Sequence, residues 1–185
     1  MSSILSMQIA LPLESVYRRR LHDLVLSTGD RAMVGHKQAF YQALSRTLVE
    51  AARWFEYGVW DYWDDNEKAQ AGFADWAAGL QGKEARSAPG PVAAPGEKRY
   101  MLVTLAFLLR SGSNSDSTAA SCCNGLKEGD YWKRATFARI LTCIGWLNFA
   151  SVESDVFYLV PGDDSFALTT EDLLSQNYHY LRSLA

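Results

Sequence analysis

The chain has 185 residues, of which 48% are hydrophobic and 21% are charged, so it is long enough to fold as one domain with a proper core. Its net charge of −3, from 18 basic and 21 acidic residues, argues against a nucleic-acid-binding protein, because phosphate contacts need a clustered basic face. The three cysteines, with Cys122 and Cys123 adjacent, do not form a disulfide framework, which favours a reducing compartment.

The sequence predicts a cytoplasmic protein. The N-terminal residues lack the basic region and apolar core of a secretory signal. The apolar stretches 100–110 and 140–150 are shorter than the roughly 18 residues that a spanning helix requires.

The first predicted elements are a strand and a helix. Residues 4–11 alternate, with Leu5, Met7, Ile9 and Leu11 on one side, which predicts a half-buried strand. Residues 14–27 have helical spacing. The basic run 18–20 on this helix is interpreted as a solvated face rather than an anion site.

The longest predicted helix covers residues 37–62. Its apolar positions recur at steps of three or four and form one stripe facing the sheet. They are Phe40, Leu44, Leu48, Ala51, Ala52, Phe55 and Val59.

The C-terminal end of this predicted helix is dense in aromatic residues, which cannot all face one core. Aromatic enrichment is typical of interfaces, although burial in a core is the first interpretation of any Trp or Tyr in a small domain. The predicted interaction surface consists of Trp54, Tyr57, Trp60, Tyr62 and Trp63.

A further helix is predicted over residues 67–80, packed against the preceding one, with Asp64 to Asn66 as N-cap candidates. Residues 82–97 are rich in Pro, Gly and Ala and show no periodicity. This composition predicts a flexible internal linker.

The second half begins with residues 100–110, in which nearly every side chain is apolar on both faces. That pattern predicts a central strand with neighbours on each edge. A polar loop over 111–129, with a short helical turn around Thr118 to Cys123, then leads to a helix over 130–147 and a strand over 156–160. Thr169 and Asp172 form a capping box that opens a last short helix.

Together these elements predict a single α+β domain over residues 1–185. Its sheet is expected to be small and three-stranded, antiparallel or mixed, with the helical N-terminal half packed on it.

The order of these elements resembles an uncharacterised family called domain of unknown function 1517, found in cyanobacteria, chloroplasts and some other bacteria. The matching segments spread over nearly the whole chain. They are Leu5 to Leu11, Trp60 to Trp63, Tyr100 to Leu105, Phe157 to Pro161, and Leu168 to Leu174 with Tyr178.

The resemblance implies no reaction and no catalytic residues, because none is established for the family. Its chloroplast members look like thylakoid or envelope proteins tied to acclimation of photosynthesis. It therefore implies a phototrophic host, a protein partner and peripheral association with a photosynthetic membrane.

Residues that could carry chemistry are few. The acidic loop supplies a possible ligand or cation site at Asp163, Asp164, Glu171 and Asp172, since carboxylates can bind a hard cation or act as an acid-base pair. Turns and helix caps favour Asp at such positions, and this is the preferred interpretation. Neither a cofactor nor a metal is predicted, and a structural or merely exposed role is preferred for Cys122 and Cys123.

The functional prediction is a non-catalytic protein-interaction or assembly module, and the resemblance implies a peripheral or auxiliary factor of a photosynthetic membrane complex. The surplus of aromatic residues between Trp54 and Trp63, in a chain without catalytic motifs, is its basis. The alternative is a small-ligand-binding protein or enzyme that uses the acidic loop 163–172.

Overall fold

The fold is α+β, an antiparallel sheet with helices on both faces. The computed structural model describes residues 1–13, 15–27, 33–81, 96–160, 168–175 and 178–185. The strands in this part of the chain are β1 (Ser2–Pro12), β2 (Tyr57–Trp63), β3 (Arg99–Arg110), β4 (Val152–Val160), β5 (Leu168–Thr169) and β6 (Arg182–Ser183). The helices are α1 (Tyr17–Ser27), α2 (Val34–Ala51), α3 (Asn66–Gln81), α4 (Asn114–Cys123), α5 (Arg134–Ile144) and α6 (Thr170–Leu174).

The strand order is β4-β3-β1-β2-β6, and β5 pairs with the start of β3 beyond the end of β4. The two longest strands, β1 and β3, pair over their full lengths, from Ser2 opposite Arg110 to Pro12 opposite Tyr100. Both have a neighbour on each edge. The predicted central strand is therefore confirmed, and β1 is central as well.

The first face of the sheet is covered by α1, α2, α4 and α5. Odd-numbered side chains of β1 and β3 point to this face, because side chains alternate along a strand. The main core contains Leu5, Met7, Ile9, Leu11, Met101, Val103, Leu105, Phe107 and Leu109 of the sheet, with Leu21, Phe40, Leu44, Leu48, Phe137, Ile140 and Ile144 of the helices.

The second face is covered by α3 and the C-terminal segment. It includes polar groups that are buried and hydrogen-bonded to each other. The Gln8 amide donates from Nε2 to Thr104 Oγ1 at 2.7 Å, and the Tyr180 hydroxyl donates to Gln8 Oε1 at 2.8 Å. The prediction that β1 is half-buried is therefore wrong, since its polar side lies under this second layer rather than in water.

The prediction of three strands is also wrong, because the described residues contain six. The main error lies in residues 37–62. The helix α2 ends at Ala51, a 3₁₀ turn covers Ala52–Trp54, and Tyr57–Trp63 forms β2 on the free edge of β1. Pairing with β1 outweighs the weaker helical pattern of this aromatic run.

Three other predictions fall near the observed elements. The helix over 67–80 matches α3, although it packs on the sheet rather than on α2. The loop over 111–129 contains the ten-residue helix α4, capped by Ser113, whose side chain accepts a hydrogen bond from the Asp116 amide. The capping box of Thr169 and Asp172 is confirmed. Residues 82–95 of the predicted linker lie outside the described residues.

Candidate functional site

A surface groove runs between α2 and α5, on the outer side of the helical layer. Its volume is about 460 Å³, within the range of ligand and peptide pockets. It is lined by Gln42, Ser45, Arg46, Val49 and Glu50 from α2, and by Thr142, Gly145 and Trp146 from α5 and the residues that follow.

The floor of the groove is formed where the two helices approach closely. The Ser45 hydroxyl donates a hydrogen bond to the Leu141 carbonyl. A Cβ atom at Gly145 would lie 3.1 Å from Ser45 Oγ, which is tighter than ordinary van der Waals contact. At the opposite end of α5, outside the groove lining, Arg134 Nε donates to the Phe55 carbonyl at 2.6 Å. Small residues on both helices thus set the depth of the groove.

Trp146 forms one wall and is 76% exposed. It follows the C-cap Gly145, and its amide donates to the Cys143 carbonyl at 2.9 Å. The next residue, Leu147, is fully buried, so the backbone around Trp146 is anchored while its indole faces solvent. Trp is also one of the residues that are enriched in protein–protein interfaces.

The opposite wall is charged. Glu50 is paired with Arg20 of α1 through an Nη1–Oε2 distance of 2.7 Å. Arg46, one turn before Glu50 on α2, is exposed and makes no ion pair or hydrogen bond within the described residues. The groove therefore combines an exposed indole with an arginine whose guanidinium is available to a carboxylate.

The predicted aromatic surface is divided between different parts of the molecule. Trp60 and Tyr62 point to the first face of the sheet, whereas Tyr57 and Trp63 point to the second, because β2 alternates. Trp54 and Trp63 are 42% and 46% exposed. Trp63 ends β2, whereas Trp54 lies in the 3₁₀ turn that follows α2.

The other three predicted aromatics have partners inside the protein. Trp60 Nε1 donates to the Tyr131 carbonyl at 3.0 Å. The Tyr62 hydroxyl donates to Asp116 Oδ1 at 2.7 Å. The ring of Tyr57 packs edge-on against Tyr100, with centroids 5.8 Å apart.

Of the predicted acidic site, the structure describes only half. Asp163 and Asp164 lie outside the described residues. Asp172 is the third residue of the capping box, where Oδ2 accepts from the Thr169 amide at 2.8 Å, and Glu171 is exposed. Among the described residues, no three His, Cys, Asp or Glu side chains are grouped so that they could hold a metal ion.

A second polar cluster, which the sequence did not reveal, lies where β3 begins. Glu56 accepts hydrogen bonds from Lys98 at 2.9 Å and from the Tyr100 hydroxyl at 2.8 Å. Burial opposes ionisation of Glu56, but Lys98, Tyr100 and the nearby Arg134 outweigh it and lower the pKa of the carboxyl. Tyr100 is only 1% exposed, so its hydroxyl is not accessible to solvent. The role of this cluster is to stabilise the end of the sheet.

The cysteines also differ from the prediction. Cys122 of α4 and Cys143 of α5 are joined by a disulfide, and the free thiol is the buried Cys123. Cys143 stands 21 residues after Cys122, and the sequence alone did not indicate that the two helices are adjacent. Three cysteines thus form one disulfide and leave one free thiol.

The groove was missed for the same reason, since its two walls come from distant parts of the chain. The one local signal is Trp146, a large apolar residue directly after a helix-ending Gly145. A residue at that position follows the end of the helix and need not point into the core.

The comparisons with known proteins found no match among family models, among curated proteins or among solved structures. In the described part of the chain, no helix is long and apolar enough to cross a membrane.

Proposed function

We propose that this chain is a non-catalytic protein-interaction module whose docking surface is the groove between α2 and α5. Its partner is a protein segment that presents an apolar side chain beside a carboxylate. The observation that carries this proposal is Trp146, which is 76% exposed and held in position on a 460 Å³ groove. The groove also contains Arg46, which has no partner among the described residues.

The pairing of Trp146 with Arg46 matches the residues that dominate binding energy in protein interfaces. Trp and Arg are enriched among such residues, and they act best when surrounding contacts exclude water. The groove supplies those contacts from Val49 and Thr142, while Gln42 provides a polar rim.

The charge of the groove favours an acidic partner. Glu50 is already neutralised by Arg20 at 2.7 Å, so among the described residues that line the groove Arg46 is the charge left for a ligand. A carboxylate placed there gains a charge-assisted hydrogen bond, which is stronger than a neutral one.

The biological setting of this proposal rests on the resemblance to the uncharacterised family. On that ground we propose an auxiliary role beside a photosynthetic membrane complex, with peripheral membrane association. Nothing among the described residues favours the alternative of an enzyme or small-ligand site in the acidic loop, because Asp172 is occupied by its helix cap.

The experiment is selection of peptides from a random display library on the immobilised protein. We expect enriched peptides to combine Leu, Phe or Trp with Asp or Glu. Trp146→Ala should abolish the enrichment, and Arg46→Glu should shift the selected peptides from acidic to basic, since the charge beside the apolar site is reversed.

The matched control is Trp54→Ala, which removes an exposed tryptophan outside the groove lining and should leave the selected peptides unchanged. The proposal is overturned if no sequence is enriched. It is overturned equally if the enriched peptides bind Trp146→Ala and Arg46→Glu as tightly as the parent protein.

A further inference from the structure

The disulfide joins the last turn of α4 to the last turn of α5. The Cα atoms of Cys122 and Cys143 are 6.6 Å apart, within the range of disulfides in proteins. Cys122 is 5% exposed, whereas Cys143 is only partly buried. Of the two cysteines, Cys143 is therefore the more accessible to a reductant.

This bond lies next to the groove. Cys143 is flanked by Thr142 and followed by Gly145 and Trp146, all three of which line the groove. The end of α5 is held on one side by the hydrogen bond from Ser45 to Leu141 and on the other by the disulfide to α4. Cutting the disulfide leaves this end of the wall attached to α2 and removes its covalent link to α4.

The surroundings of the bond favour thiol–disulfide exchange. The Arg139 guanidinium donates to the carbonyl of Ser121 at 2.9 Å, so a cation lies at the peptide bond that precedes Cys122. A cation stabilises the thiolate that leaves when a disulfide is attacked.

The third cysteine does not compete in this exchange. Burial raises the pKa of the Cys123 thiol to about 12, although the charge of Arg139 lowers it in part. The thiol thus stays protonated at neutral pH, and only a thiolate attacks a disulfide. Exchange is therefore confined to Cys122, Cys143 and an external reductant.

We infer that the Cys122–Cys143 disulfide is a redox control of the groove, which binds its partner in the oxidised protein and releases it on reduction. This inference rests on the proposed function of the groove. The reductant is a dithiol of the thioredoxin class or its chemical equivalent.

The reaction is a two-electron exchange. One thiolate of the dithiol attacks Sγ of Cys143, the bond to Sγ of Cys122 breaks, and Cys122 leaves as a thiolate that takes up a proton. The second thiol of the reductant then loses its proton, displaces Cys143 and closes the reductant's own disulfide. The protein gains two thiols and the dithiol is oxidised.

The first test needs no partner. Thiols are counted in the protein unfolded without reductant, and again after treatment of the folded protein with dithiothreitol. We expect one thiol, that of Cys123, before treatment and three after it. Three thiols before treatment, or resistance of the folded protein to dithiothreitol, would overturn the inference.

Hydrogen–deuterium exchange then measures the effect of reducing the disulfide on the groove. Reduction should speed exchange in peptides that cover the C-terminal half of α5 and Trp146, while β1 and β3 stay protected. The variant with both Cys122→Ser and Cys143→Ser should match the reduced protein, and Cys123→Ser should keep the full redox response. Unchanged exchange around Trp146 would overturn the inference without relying on any variant.

The binding test uses an acidic, apolar peptide selected on the oxidised protein. We expect reduction to weaken its affinity by at least about 5-fold, the lower end of typical coupling between two sites. An affinity unchanged by reduction would sink the redox control but leave the groove as a docking site. Failure to select any peptide would sink the proposed function, while the thiol and exchange measurements would still report on the bond.

Discussion

At Gly58, strand β2 and helix α5 approach so closely that no side chain fits between them. A Cβ atom there would lie 2.6 Å from Cε1 of Phe137 and 3.2 Å from the Gln8 carbonyl oxygen. The Phe137 ring is fully buried and cannot move aside without disturbing the main core. This glycine is required for close approach, not for an unusual backbone angle.

We expect Gly58→Ala to destabilise the protein by about 1 to 3 kcal/mol, the usual cost of overpacking a core. The measurement is urea unfolding followed by circular dichroism. Gly35→Ala is the matched control, because a Cβ atom there meets nothing within 4 Å and alanine is the better helix former. Equal stability of the two variants would contradict the close packing at Gly58.

The charge of Asp116 supports the fold through a network of hydrogen bonds. Its carboxylate accepts hydrogen bonds from the Ser3 hydroxyl at 2.5 Å, the Tyr62 hydroxyl at 2.7 Å and the Gly112 amide at 2.8 Å. Burial works against ionisation, but these donors outweigh it and lower the pKa of Asp116. The network joins β1, β2 and the start of α4.

The pKa of Asp116 is lower in the folded protein than in the unfolded chain, where it is about 3.9. Its ionised carboxylate therefore adds to the free energy of unfolding above the unfolded pKa, and this stabilisation is lost as the pH falls through the folded pKa. We expect Asp116→Asn to cost about 1 kcal/mol at pH 7. The difference from the parent should shrink below about pH 4, when the parent carboxylate is protonated too.

The measurement is urea unfolding of both proteins between pH 7 and pH 3. Asp75→Asn, at an exposed position on α3, serves as control and should track the parent throughout. A gap between Asp116→Asn and the parent that stays constant with pH would contradict a role for the charge.

At the scale of elements, residues 52–63 show how two patterns compete. The spacing of Ala51, Phe55 and Val59 continues the stripe of α2 and predicts helix. The run from Tyr57 to Trp63 also alternates and is rich in strand-forming aromatics. Sequence periodicity could not decide between them, because the deciding factor is the free edge of β1 far away in the chain.

This segment contains two tryptophans with different roles, the packed Trp60 and the exposed Trp54. We expect Trp60→Ala to cost about 2 to 3 kcal/mol, somewhat less than a fully buried Trp, since it removes a packed ring and its hydrogen bond to Tyr131. Trp54→Ala should change the free energy of unfolding by less than about 0.5 kcal/mol. Chemical denaturation of both variants checks this, and similar losses would mean that Trp54 is also structural.

At the scale of the whole molecule, the sequence predicted the fold class, the strands β1, β3 and β4, and most of the helices. Their side-chain periods are local, so they can be recognised without knowing any partner. The short strands β5 and β6 have two residues each and carry no period. The groove and the disulfide depend on how α2, α4 and α5 are arranged, which no local pattern encodes.

The central position of β1 has a consequence for how the protein is made. Met7 pairs with Trp60 on one side and with Leu105 on the other, so β1 leaves the ribosome before both of its pairing partners, β2 and β3. Until β3 emerges, one edge of β1 has no strand to pair with, and the apolar side chains of β1 lack the core residues that β3 contributes. Such distant pairings fold slowly, and the growing chain passes through a stage in which it can bind other strands or chaperones.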